Sequence, residues 1–224
     1  MIIIFGAKKG GVGKSTASIN FSIAASIKGI DAVILDGDGQ CTAARFVQDR
    51  LENESLPKVH ISQGRGNIAK QIQDLNNRYE MVVVDLAGYD CQELRSSLIA
   101  HPDSILITVT QASQPDLDTL EDMAEIVENS RVINPELMSL ILLNRCPTNF
   151  SNEGNEAAEF IKDYPEFRLL KNRMCERKIY RDVFQDGLGV VEVEGEKAEK
   201  AKQEIEAIFD EILDIAQEKM GDKK

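Results

Sequence analysis

The stretch Lys8-Lys9-Gly10-Gly11-Val12-Gly13-Lys14-Ser15-Thr16 fixes the class of fold. It follows the apolar run Ile2-Ile3-Ile4-Phe5 and leads into a segment with Ile19, Ile23 and Ile27 on one helical stripe, closed by Gly29. A glycine-rich loop therefore joins a strand to a helix. Glycines without a Cβ let successive backbone N–H groups turn inward on one polyanion, and a helix opening at Lys14 or Ser15 adds its positive dipole end. That is a phosphate cradle, in which Lys14 reaches the β- and γ-phosphates and the Ser15 hydroxyl is placed to bind Mg²⁺. The usual spacing is GxxxxGK[ST]. Here Lys8 stands at the first glycine position, and a second lysine, Lys9, directly precedes the glycine pair.

On either side of this loop, apolar and β-branched runs recur at Ile2–Phe5, Ala32–Leu35, Val59–Ile61, Met81–Val84, Ile105–Val109 and Leu140–Leu143. Each is short, nearly continuous and separated from the next by a helix-length segment. This predicts an α/β fold with a mostly parallel twisted sheet buried on both faces by helices. Val47–Leu51, Ile68–Leu75 and Leu117–Val127 read as further helices. An amphipathic helix is expected at about 196–219, with Ile205, Ile208, Phe209, Ile212 and Ala216 on its apolar stripe.

The 224 residues suit one domain spanning 1–224, with no linker-like composition inside it. The longest apolar runs fall far short of a bilayer-spanning segment, and Met1 leads directly into a core strand, so a cytoplasmic protein is expected. The four cysteines, Cys41, Cys91, Cys146 and Cys175, form no CxxC pair and read as reduced thiols. His60 and His101 read as strand-end or surface residues. The net charge of −12 argues against a wholly basic nucleic-acid-binding domain. One segment runs against it: Arg168, Lys171, Arg173, Arg177, Lys178 and Arg181 face only Glu176 in the same stretch, whereas 192–218 is dominated by acidic residues.

Three more places carry chemistry. Asp36-Gly37-Asp38-Gly39-Gln40 puts two carboxylates at the exit of the second strand, on the edge where open parallel sheets bind ligands. Asp85 ends the run Met81-Val82-Val83-Val84, where a strand terminus directs a carboxylate toward a Mg²⁺ shell, and Gly88 follows it. Asn144-Arg145 follows Leu140–Leu143, and an amide offers the paired donor and acceptor that an adenine edge needs.

The sequence Lys9-Gly10-Gly11-Val12-Gly13-Lys14-Ser15 resembles the deviant Walker A motif of the ParA/MinD family of ATPases, closest to the small ParA partition ATPases. The resemblance continues through Asp36–Gln40, similar to the DxD(P)Q motif with Gly39 in place of the frequent proline. It includes Asp85–Gly88, similar to hhhhDxxG, and Asn144-Arg145, and extends to the Gly187-Leu188-Gly189-Val190 turn. It implies that ATP is held by Lys9, Gly10, Gly11, Val12, Gly13, Lys14, Ser15 and Thr16, with Asn144 and Arg145 at the adenine. Mg²⁺ would be served by Ser15, Asp36 and Asp85. Lys9, Lys14 and Asp38 would carry catalysis, with Asp38 positioning the attacking water and Lys9 crossing a dimer interface to the partner's phosphates.

The partners so implied are a second copy of the chain in an ATP-dependent homodimer, a ParB-like centromere-binding or cargo adaptor protein, and non-specific DNA. The protein would be nucleoid-associated when ATP-bound. The segment from Arg168 to Arg181 lies where such proteins carry DNA contacts, and phosphate contacts need only clustered cations. The alternative is that these cations pair with the acidic tail. Two other functions stay open: a MinD-like membrane-surface switch, against which the acidic face of the last helix argues until Lys223-Lys224, and a P-loop metabolic or assembly enzyme.

Overall fold

The computed structural model describes residues 1–148 and 153–221; Lys223 and Lys224 lie outside them. Seven strands form one sheet: β1 (Ile2–Gly6), β2 (Ala32–Asp36), β3 (His60–Gln63), β4 (Met81–Asp85), β5 (Ser104–Thr110), β6 (Met138–Leu143) and β7 (Arg168–Leu169). Their order is β3-β2-β4-β1-β5-β6-β7, and every pairing is parallel. Between them lie α1 (Lys14–Ile27), α2 (Thr42–Arg50), α3 (Ala69–Asn76), α4 (Gln92–Leu98), α5 (Gln114–Leu117), α6 (Leu120–Arg131) and α7 (Glu153–Ile161), and α8 (Ile179–Asp182) and α9 (Glu196–Gly221) follow β7.

The strands read as apolar runs because both faces of the sheet are covered. Ile3 and Phe5 of β1 point to a layer that holds α1, α2 and α9, where Phe21 stacks between Phe5 (centroids 5.6 Å apart) and Phe209 (4.7 Å). Ile2 and Ile4 point to the opposite layer, filled from α4 and α6 by Leu94, Leu98, Leu120, Met123 and Val127. The central strands β1, β4 and β5 are buried along their whole length.

The edges depart from expectation. The third strand is less deeply buried than its reading as a core strand implied, because it forms one border of the sheet and its residues are exposed or half-buried. At the other border β7 has two residues and no apolar run to announce it. The helix read over Leu117–Val127 is two helices. The Thr119 hydroxyl donates to the Asp116 carbonyl at 2.7 Å, closing the first as a single turn.

Candidate functional site

The carboxyl ends of β1, β2, β4, β5 and β6 converge on one edge, and the loop after β1 lies at its centre. Gly13 precedes α1 at φ 94 and no side chain caps that helix, so the first-turn N–H groups face the loop with no side-chain acceptor. A Cβ at Gly13 would stand 2.1 Å from the Asn144 amide nitrogen. Lys14 is buried, and its ammonium donates to the Lys9 carbonyl at 3.3 Å. Burial lowers its pKa, opposed by the negative charges of Asp85 and Asp38. A cation held in place without anionic contact at hydrogen-bond distance is ready for a phosphate.

Asp36 and Asp85 are register partners on β2 and β4. Asp85 is fully buried, and both its carboxylate oxygens lack a hydrogen-bond partner among the described residues. Burial pushes its pKa up to about 7; Ser15 opposes the rise, the neighbouring Asp36 charge adds to it, and Ser18 and Lys14 oppose it. Neither hydroxyl meets full hydrogen-bond geometry with the carboxylate, so its oxygens stay available to a hard cation. Asp36, also expected to serve Mg²⁺, is hydrogen-bonded by backbone N–H groups. Its Oδ1 accepts from the Asp38 N–H at 3.0 Å and its Oδ2 from the Ala44 N–H at 2.9 Å. It ties down the turn into α2, and burial raises its pKa despite these bonds. Of the three expected metal residues, Asp85 beside Ser15 fits a cation best.

A cleft of about 450 Å³ opens over the loop, lined by Gly10, Gly11, Gly13, Lys14, Ser15, Thr16, Asp38, Gly39, Gln40, Thr42, Ala87, Gly88, Tyr89 and Arg145. Asp38 is half-buried in it, its Oδ1 accepting from the Gln40 N–H at 2.9 Å. Gly88 is required by close approach: a Cβ there would lie 2.5 Å from the Gly10 Cα and 2.6 Å from the Lys9 carbonyl oxygen. The Asp85 exit and the phosphate loop thus touch backbone to backbone. Asn144 has a different immediate task from base recognition. Its amide nitrogen donates to the Val12 carbonyl at 2.6 Å and its oxygen accepts from the Arg145 N–H at 2.8 Å. It braces the loop from 132 residues away, with one amide hydrogen left for another acceptor. Arg145, at φ 53, lines the cleft and also a hollow of about 40 Å³ that it shares with Asn144, Met174, Arg177 and Tyr180.

Residues 3–190 match the model of the CobQ/CobB/MinD/ParA nucleotide binding domain. The chain belongs to this family. No curated protein matches it in sequence. Among solved structures it is similar to a putative plasmid partition protein of Borrelia burgdorferi bound to AMPPNP, at 16% identity and TM-score 0.69 over 93% of this chain and 97% of that one. It is also similar to the MinD cell division protein of Aquifex aeolicus, at 16% identity and TM-score 0.73 over 95% and 96%. A third is the septum site-determining protein MinD of Pyrococcus horikoshii complexed with Mg-ADP, at 18% identity and TM-score 0.71 over 97% and 98%. At these identities the likeness is one of fold, the parallel sheet flanked by helices of the MinD/ParA group.

In this CobQ/CobB/MinD/ParA chain four of the six cations of the basic segment are paired with carboxylates. Arg168 pairs with Glu218 at 2.9 Å and Arg177 with Glu204 at 2.6 Å, both carboxylates on α9. Lys178 pairs with Asp182 at 2.9 Å and Arg181 with Glu176 at 3.1 Å. Glu204 also accepts from the Tyr180 hydroxyl and the Cys175 N–H, and Glu211 from the N–H groups of Lys171 and Asn172. The acidic tail therefore shapes this segment. Among the described residues, Lys171 and Arg173 have no ion pair.

Three residues escaped the sequence reading. Asp116 is buried in α5 and holds Lys9 at 2.9 Å. Tyr89, 60% exposed, stands beside Gly88 on the cleft wall. Arg65, after β3, bonds the backbone around Asp38. No described helix is long and apolar enough to cross a membrane.

Proposed function

We propose that the chain is a Mg²⁺-dependent ATPase that works as an ATP-driven switch. Two copies face each other over bound nucleotide, hold non-specific DNA while ATP is intact, and let go when a ParB-like or cargo adaptor stimulates hydrolysis. DNA partition or cargo positioning would be the output. The observation that carries this reading is the division of labour between two lysines of one loop. Lys14 is buried under the cleft, whereas the Lys9 side chain is 44% exposed, does not line its own cleft and turns to Asp116. A lysine next to the phosphate loop and outside its own cradle is placed to serve a cradle on another copy.

Within one subunit, the loop N–H groups and Lys14 bind and orient the phosphates. Ser15 and Asp85 would hold Mg²⁺, which neutralises charge on the phosphate oxygens when bound. Asp38, on the cleft wall, aligns a water with the terminal phosphate, and the Gly88–Gly10 contact keeps the chamber small. AMPPNP and Mg-ADP in the similar solved proteins support ATP with Mg²⁺ as the ligand. The reading is tested by co-sedimentation with DNA in ATP, ADP or no nucleotide over a salt series, with light scattering for the dimer. ATP-dependent dimers with DNA binding that falls steeply with salt support it. Dimers without DNA binding turn it toward an assembly enzyme or a membrane-surface switch.

A further inference from the structure

Asp38 sits between Gly37 and Gly39, two residues without a Cβ, so its own backbone has little intrinsic stiffness. The loop after β3 supplies an external brace. Arg65 Nη1 donates to the Asp36 carbonyl at 2.7 Å and to the Gly64 carbonyl at 2.6 Å. Its Nη2 donates to the Asp38 carbonyl at 2.8 Å and to Cys41 Sγ at 3.0 Å, at the residue that opens α2. One planar fork thus spans the Gly37 link and the start of the helix beyond it. A guanidinium has the donor geometry for this, whereas an ammonium is a single point.

The brace is itself anchored on both sides. The Gly64 N–H donates to the Asp36 carbonyl at 3.1 Å, and the Gly66 N–H donates to Glu93 Oε1 on α4 at 2.6 Å. Helix α4 follows directly from the Asp85–Gly88 exit, and the Gly37 N–H donates to the Asp85 carbonyl at 2.8 Å. Arg65 does not line the cleft.

We infer that Arg65 is a positioning residue for ATP hydrolysis, holding the Asp38 carboxylate at the terminal phosphate by clamping the carbonyls of Asp36 and Asp38. The inference rests on the reading of Asp38 as the water-positioning group. Because Arg65 acts through Asp38 and stays outside the cleft, its loss slows turnover and leaves nucleotide affinity in place.

The test measures single-turnover ATP hydrolysis and binding of a fluorescent ATP analogue by the full chain, with Arg65→Ala, Arg65→Lys, Asp38→Ala and the double alanine variant. Arg65→Ala is expected to slow hydrolysis about 10–100-fold, the scale of a misplaced catalytic group, with analogue affinity changed less than about threefold. Arg65→Lys should fall between it and the parent, and serves in its place if the alanine variant does not fold. In the double variant the two losses should not multiply, since both remove the same step. Multiplying losses, or Arg65→Ala or Arg65→Lys at the parent rate, overturn the inference while leaving Asp38 its role. Asp38→Ala at the parent rate overturns the reading of Asp38 and this inference with it.

Discussion

Lys9 Nζ lies 2.9 Å from Asp116 Oδ1, a carboxylate whose other oxygen accepts the Ser113 hydroxyl. The side chain of Asp116 is 6% exposed and that of Lys9 is 44% exposed, so the lysine is tethered at its tip while its stem stays in solvent. For Lys9 to reach a nucleotide on another copy, this pair must open. Its strength is that of a half-exposed ion pair, roughly 1 kcal/mol. Each dimer opens two such pairs, so Asp116→Asn should lower the protein concentration at which ATP-dependent dimers form by about 30-fold. Lys9→Ala should bind nucleotide as the monomer yet lose the dimer and hydrolysis. Light scattering beside a nucleotide titration checks both; dimers formed by Lys9→Ala at parental concentrations would end the cross-subunit assignment.

Lys14→Ala removes the lysine buried under the cleft and should weaken ATP binding by at least about 100-fold, the scale set by a charge-assisted bond to phosphate in a dry site. Isothermal titration with ATP measures it. Full affinity in the variant would mean that the loop N–H groups suffice without it.

The buried Asp85 makes a signed pH prediction. Its carboxyl keeps a proton up to about pH 7 in the folded chain, whereas in the unfolded chain it ionises near the ordinary carboxylate value. Between those limits the folded state binds more protons, so this group lowers stability as pH rises from about 4 to about 7. Asp85→Asn should then raise the melting temperature of the nucleotide-free protein at pH 8 by several degrees, a gain of about 1–3 kcal/mol, and the gain should shrink at pH 5. The same variant should lose Mg²⁺-dependent hydrolysis. Equal melting shifts at the two pH values would remove Asp85 from this account.

The ion pairs of the basic segment decide how its DNA role is tested. Arg177 is sheltered with Glu204, and truncating it leaves a poorly solvated carboxylate, at a cost of about 3 kcal/mol or more. Lys171, Arg173 and Lys178 are exposed and can be changed with less damage. In their triple alanine variant, the slope of log K against log salt for ATP-dependent DNA binding should flatten by about one for each phosphate no longer neutralised. Melting temperature and basal hydrolysis should be unchanged. An unaltered slope in fluorescence anisotropy would move the DNA surface elsewhere.

Much was legible in the order of residues because it depends on short spacings. A β-branched and aromatic run before a glycine-rich loop, with a lysine opening the next helix, has one local structure that satisfies its backbone. Asp36 and Asp85 could be assigned to strand ends for the same reason, as each closes a continuous apolar run. The helix at the carboxyl end was readable from its stripe, and Glu196–Gly221 carries the expected 196–219 on to 221. What failed locally failed at the borders: β3 was read as core because apolar spelling does not say which strand is outermost, and β7 is too short to carry a pattern.

The phosphate loop, the α/β class and the carboxylates at the strand exits are written in the chain itself, because each is encoded by residues within a few positions of one another. What those groups touch was settled by the three-dimensional arrangement alone. Asn144 reaches Val12, Asp116 takes Lys9 and Arg65 clamps Asp36 and Asp38 through the parallel crossovers, and Glu204 claims Arg177 through the packing of the last helix, none of them by neighbourhood in the chain. A carboxylate or a guanidinium looks the same in sequence whether it is solvated, paired or buried. Its charge is local, but the burial and the partner that set its chemistry come from the strand order of the sheet.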